Sequence, residues 1–279
     1  MRAFVIGMIM AAAAATAVPA FAACTATVVG NDFVISGCNV KIQNGTGSTA
    51  TVNGLGNLII GYNEDTVPAR TRTGSHNLVV GREHAYSSFG GVVAGHHNDI
   101  QAEAAAAVAG EGNTVSNKFS AAVAGEDNLV SGQYAATIGA DVSQASGDYA
   151  TVTGGYAGTA SGKWANVTAG NGNTSSGTYA WCGTGASNVA SGAYGSIAAG
   201  FLNTASFTHA AITSGSSNVA DGFASAILGG AYNTTQRVNG SLVFNATIGG
   251  GSNNLAKDSF STVGGSCTNT TTGSCSLVP

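Results

Sequence analysis

Four side chains able to bind a cation recur at one phase of this chain. His96, Glu111, Glu126 and Asp141 follow one another at intervals of fifteen residues. Stacked in register, three carboxylates would stand one coil apart and repel. They then need screening, divergent side chains, a basic neighbour or a bound divalent cation. His97, Asp127 and His84 are the neighbours in sequence that could take part, and eight of the 13 acidic residues fall between Glu64 and Asp127. A divalent cation is the one cofactor these residues suggest. A second periodic series is aromatic: Phe119, Tyr134, Tyr149, Trp164, Tyr179 and Tyr194, continued by His209. Stacked rings of this kind either seal an edge or a subunit interface, or present a strip to a glycan or an extended protein. Tyr134, Tyr149, Trp164, Tyr179 and Tyr194 are the candidate ligand-binding residues. No nucleophile motif, phosphate loop or zinc-ligand spacing is present, so no catalytic residue is assigned and no enzymatic activity is expected.

Both series obey a longer rule. Glycine recurs at Gly95, Gly110, Gly125, Gly155, Gly170, Gly185, Gly200, Gly215 and Gly230, with Ala140 as the exception. Asparagine follows three residues later in most copies, from Asn98 and Asn113 to Asn218 and Asn233, with Ser143 and Gly158 as exceptions. A strict period means a stack of near-identical coils. Each copy, such as 146–155, reads as two short strands separated by Gly-Gly and Ser-Gly turns. The expected fold is all-β: a parallel β-roll or β-solenoid of about 15-residue coils, two short strands per coil. The asparagines suit left-handed corners and could hydrogen-bond to one another along the axis.

Composition agrees with a thin solenoid. Only 8% of the 279 residues are charged, 42 are glycine and three are proline. The net charge of −4, with no basic run, lacks the footprint of a nucleic-acid binder. Residues 1–22 read as a signal peptide: Arg2, an Ala-rich apolar run and an A-x-A step at Ala20-Phe21-Ala22. Export to the extracellular space or outer cell surface follows, with lipidation at Cys24 as an alternative processing route. No later stretch is long and apolar enough for a transmembrane helix. Residues 23–55 read as a strand-rich cap over the first coil. Residues 56–265 read as the repeat array, with surplus loops at Glu64–Arg72 and, five residues long, around Gln236–Gly240. Residues 266–279 read as a disulfide-bounded tail. In an exported chain, Cys24–Cys38 and Cys267–Cys275 are the expected disulfides, leaving Cys182 buried and free.

Repeats of the form Ser-Gly-x-Tyr-Ala-x-Val-x-Gly-Gly-x-x-Asn-x-Ala, as in 146–160 and 191–205, resemble the head repeats of YadA-like trimeric autotransporter adhesins. The resemblance covers about Gly54 to Gly265. It implies a left-handed parallel β-roll, a homotrimer and binding of host, matrix or glycan ligands. A trimer also suits so thin a roll, because packing rolls side by side adds burial that Ala-rich coils lack. The stalk and C-terminal barrel usual in that family are not read here, so retention by that route is not expected. The alternative is a structural or ice-interacting extracellular solenoid. Against it, Thr137, Thr151, Thr153, Thr168 and Thr213 do not keep one phase.

Overall fold

A computed structural model describes residues 24–66, 69–236 and 242–279. The signal segment read at 1–22 lies outside the described residues, as do positions 237–240 of the second surplus loop. The chain divides into two compact units at Lys41/Ile42.

The first unit is a hairpin. Strand β1 (Thr25–Val29) pairs antiparallel with β2 (Asp32–Ser36) across a turn at Gly30, whose φ of 61° suits glycine. The Cys24–Cys38 disulfide closes its open end, with Cα atoms 5.1 Å apart. Beyond Ser36 the segment read as a strand-rich cap forms no further strand up to residue 55. The rest of the segment read as a cap belongs to the second unit. There the Asn44 N–H donates to His76 Nε2 (3.3 Å) and the Asn53 N–H to Ser75 Oγ (3.0 Å).

The second unit is a parallel β-solenoid. Among the described residues it has a 15-stranded and a 12-stranded parallel sheet. Isolated bridges such as Tyr156↔Asn171↔Ala186↔Phe201 add a third row. Residue i pairs with i+15, as in Ala136↔Thr151 and Gln144↔Thr159. The strands are short, as the repeat pattern implies. Many span two, such as Trp181–Cys182 and Val189–Ala190, because a corner follows every few residues.

The core is three ladders of inward side chains whose sizes offset one another. Where the larger sheet contributes Ala107 and Ala122, the smaller contributes Val115 and Val130. Where the larger sheet carries Ile197, Ile212, Ile227 and Ile248, the smaller carries Ala190, Ala205, Ala220 and Ala256. Ala135, Ala150, Ala165 and Ala180 form the third ladder. The interior therefore keeps one width along the axis, as close packing demands. Cys182 sits in this core, fully buried and free, and burial raises its thiol pKa.

Two devices make the corners. A Cβ on Gly125 would meet the Ala140 carbonyl oxygen at 1.9 Å, so the approach of the next coil enforces glycine. Ala140 is tolerated because the positive φ in its own coil falls on Gly139 (61°) instead. The second device is the asparagine ladder. The Asn113 N–H and Nδ2 both donate to Asn98 Oδ1 (2.9 and 3.1 Å), and Asn128 repeats this on Asn113. The ladder resumes from Asn173 to Asn254 after a break at Ser143 and Gly158. The asparagines are not themselves left-handed. The preceding residue is: His97, Asp127, Val142, Ser187 and Leu202 have φ between 50° and 56°.

The register departs from fifteen at four places. Leu58 pairs with Leu78, Leu78 with Val92, Val92 with Ala106, and Ala226 with Thr247. The second surplus is thus six residues rather than five, and the partner of Gly230 is Gly251. The C-terminal segment is a further coil, with Thr262↔Leu277 and Val263↔Val278. It is not closed by a disulfide. Cys267 and Cys275 are both free and exposed. Cys267 bridges to Ser252, in the row of Ala231, while Cys275 stands one coil beyond Phe260 at the left-handed turn. Eight residues of a fifteen-residue coil place the two thiols at different corners, so nearness in sequence is not nearness in space. No helix among the described residues is long and apolar enough to cross a membrane.

Candidate functional site

The aromatic residues occupy the left-handed position of the Ser-Gly corner in consecutive coils. Phe119, Tyr134, Tyr149, Trp164, Tyr179, Tyr194 and His209 have φ between 56° and 60°. Their rings stack in one column from Phe119 to His209. Successive centroids lie 4.6–5.5 Å apart and planes within 17° of parallel. That spacing matches the ~4.8 Å between strands, so each ring face is covered by its neighbours in the column. The rings from Phe119 to Tyr194 are nonetheless 39–50% exposed. What they expose is therefore their edges. The Lys163 ammonium lies 4.2 Å from the Trp164 ring centroid. All five predicted ligand-binding residues, Tyr134, Tyr149, Trp164, Tyr179 and Tyr194, therefore share one continuous strip.

The second predicted series, His96, Glu111, Glu126 and Asp141, also lines up. Glu126 pairs with Asp141, and isolated bridges join His96, Glu111 and Glu126. The row resolves its repulsion pair by pair. His96 Nδ1 lies 3.0 Å from Glu111 Oε1, and the Glu126 N–H donates to Asp141 Oδ1 (3.1 Å). Glu126 and Asp141 do not converge with His96 on one point.

A different group does. Glu83, His96 and His97 each aim one ligating atom into a space where these atoms lie within 4.8 Å of one another. His97 Nδ1 is 3.2 Å from Glu83 Oε2, and His96 Nε2 is 3.6 Å from Glu83 Oε1. Arg82 pairs with His96, so the next residues, Glu83 and His97, take the same left-handed corner of adjacent coils (φ 58° and 56°). The surplus loop folds onto this corner. Thr66 Oγ1–H donates to Glu83 Oε1 (2.5 Å), and Arg70 Nη1–H to the Glu83 carbonyl (2.7 Å). Hydrogen bonds from Thr66 and His97 hold the buried Glu83 carboxyl down at a pKa of about 2. An open groove of about 400 Å³, lined by Gly61, Tyr62, Glu64, Gly81, Arg82, Gly95 and His96, adjoins the group.

His84, next in sequence, faces the interior. It is fully buried, accepts from the Asn98 N–H on Nδ1 (3.3 Å) and donates from Nε2 to the Val80 carbonyl (3.0 Å). Both bonds are made by a neutral ring, and burial lowers its pKa. His84 thus stands in the asparagine ladder between Asn98 and Asn63, its own N–H donating to Asn63 Oδ1 (2.8 Å).

The chain matches no protein-family model and no curated protein. The functional reading therefore rests on its own geometry and repeat pattern.

Proposed function

We propose that this chain is a non-enzymatic, exported, adhesin-like head that holds an extended ligand along its aromatic strip and works as a homotrimer. The observation that carries the reading is the unbroken column of half-exposed rings from Phe119 to Tyr194. Because the ring faces are occupied, a sugar cannot stack flat on them. The strip instead offers aromatic edges at coil spacing. That suits a polymer lying parallel to the axis, either a glycan chain or an extended protein segment, and argues for many weak repeated contacts rather than one pocket. Like charges are sparse along the strip, where Lys118, Asp148 and Lys163 alternate in sign. The homotrimer rests on the resemblance to YadA-like heads and on a separate outward apolar row. In it Val108, Val123 and Ile138 of three successive coils are 36–45% exposed. That row is distinct from the ring column, so association and ligand binding need not compete.

A solid-phase panel of polysaccharides and matrix proteins tests the binding role, with Trp164 fluorescence as the reporter of strip occupancy. Binding at micromolar concentration is expected for at least one polymer, and it should weaken when Tyr179→Ser and Tyr194→Ser are combined. Absence of any micromolar ligand, or binding indifferent to that pair, overturns the role assigned to the strip. Light scattering should give three times the chain mass; a stable monomer overturns the trimer.

A further inference from the structure

We propose that Glu83, His96 and His97 form a transition-metal site, with Glu111 and Thr66 as its supporting shell. The donor set, two imidazoles and one carboxylate, selects borderline cations such as Zn²⁺, Ni²⁺ or Co²⁺ over Ca²⁺ and Mg²⁺, which prefer all-oxygen ligands. The spacing fits. Ligands at ~2.0–2.2 Å from a zinc ion stand roughly 3.0–3.5 Å from one another. The separations from Glu83 are 3.2 Å to His97 Nδ1 and 3.6 Å to His96 Nε2.

A second observation concerns the 3.6 Å contact between His96 and Glu83. His96 Nε2 is buried and has no hydrogen-bond partner. An orphaned ring nitrogen is costly unless something else occupies its lone pair. The opposite nitrogen has a partner. Nδ1 faces Glu111 Oε1 at 3.0 Å, so with a cation on Nε2 the ring would keep its Nδ1 proton for Glu111. Carboxylate, imidazole and vacant nitrogen in line are the arrangement by which a carboxylate orients a metal-bound histidine. Thr66 does the same for Glu83. Three protein donors leave further coordination positions for water or a ligand atom, and His96 also lines the neighbouring groove. A plain ion pair between Glu83 and a protonated histidine is the competing account of the same distances.

The test is titration of the full, untagged, chelator-stripped chain with Zn²⁺, Co²⁺ and Ca²⁺, by calorimetry and by the visible absorption of Co²⁺. One equivalent of Zn²⁺ or Co²⁺ per chain is expected, with no Ca²⁺ uptake. His97→Ala should abolish the stoichiometric site, and Glu111→Gln should weaken it about 10–100-fold. Glu126→Gln should leave it unchanged. Because His97→Ala could perturb the corner, His97→Gln, checked for unchanged circular dichroism, provides a second variant. Cys267→Ser with Cys275→Ser controls for the exposed thiols. No binding by the wild-type chain, binding lost with the cysteines, or binding untouched in His97→Gln each overturns the site.

Discussion

At the level of single residues, the ring column and the buried histidine each make a prediction that ordinary substitution rules would not. An L-residue in the left-handed region costs ~1–2 kcal/mol relative to glycine. Tyr149 holds φ 60° and stacks on both Tyr134 and Trp164, at 4.9 and 5.5 Å. Each aromatic pair contributes ~0.5–1.5 kcal/mol beyond burial, so the stacking offsets the backbone strain. Tyr149→Ala loses both stacks and keeps the strain, for an expected loss of about 2–3 kcal/mol. Tyr149→Gly loses the stacks but relieves the strain, and should be about 1 kcal/mol more stable than the alanine variant. Glycine is normally the worse of the two in a strand, so denaturant unfolding that ranks alanine at or above glycine would refute the strain account. His84 gives a pH prediction, to be read on chelator-treated protein. Its folded pKa is below the ordinary 6.5 because burial penalises the charged ring. The unfolded chain therefore binds a proton before the folded chain does, and stability rises with pH across that window. The contribution is fully present above about 6.5 and falls away as pH drops below it. His84→Asn, which places the ladder's own residue there, should remove that part of the acid sensitivity. A variant with the same pH profile as wild type would contradict it.

Among the elements, the asparagine ladder is the one whose failure should be felt most. Asn203 Oδ1 accepts from both the N–H and Nδ2 of Asn218, and Asn203 Nδ2 donates to the Gly215 carbonyl (2.9 Å). Asn203→Ala strands the buried Asn218 N–H. A buried unsatisfied donor costs ~1–3 kcal/mol, so a total of about 2–4 kcal/mol is expected with the lost amide contacts. Asn203→Ser should cost less, because Ser143 already shows a hydroxyl accepting from the next coil, at 3.0 Å from the Gly158 nitrogen. Thermal melts that rank serine with or below alanine would count against the ladder as the stabilising element. The amide ladder and the ring column were legible in sequence because each holds its phase over several consecutive coils. The left-handed corner was misplaced by one residue, since Asn tolerates that geometry but its amide is better used here to bond to the adjacent coils. Glu83 was missed for a countable reason. Fifteen back from His97 is Arg82, whereas this coil is one residue short, and Leu78 pairs with Val92. The missing residue is the unpaired one that Ala124 and Gly139 supply between Val123↔Ile138 and Gly125↔Ala140. The tail cysteines misled in the opposite way, since a coil carries residues eight apart to different corners.

For the whole molecule, what matters is that every coil bonds to the coils beside it and the core width stays constant along the axis. Such an array is held by nearest-neighbour terms, and adding a unit adds its own interfaces. The chain already accommodates coils of other lengths, from Leu78↔Val92 to Ala226↔Thr247, where the change falls at a corner and the flanking ladders keep register. Inserting a second copy of 191–205 directly after Ala205 should therefore be accepted. The new coil repeats a large Ile opposite a small Ala, as Ile197 and Ala190 do, and supplies an asparagine, a ring and a corner glycine in phase. Its stability should equal or exceed that of the parent chain, with a single cooperative transition. Inserting only residues 191–197 at the same point adds seven residues, close to half a coil. Each ladder would then be offset from its continuation by about half a turn, placing exposed residues opposite buried ones. The Asn218 N–H would lose the Asn203 acceptor, as in the single alanine variant, and the core rows on either side would be interrupted as well. Circular dichroism melts and limited proteolysis of the two insertions decide the matter. Comparable losses in both would mean that the fold depends on contacts beyond adjacent coils, and a tolerated seven-residue insertion would mean that register does not hold the array together.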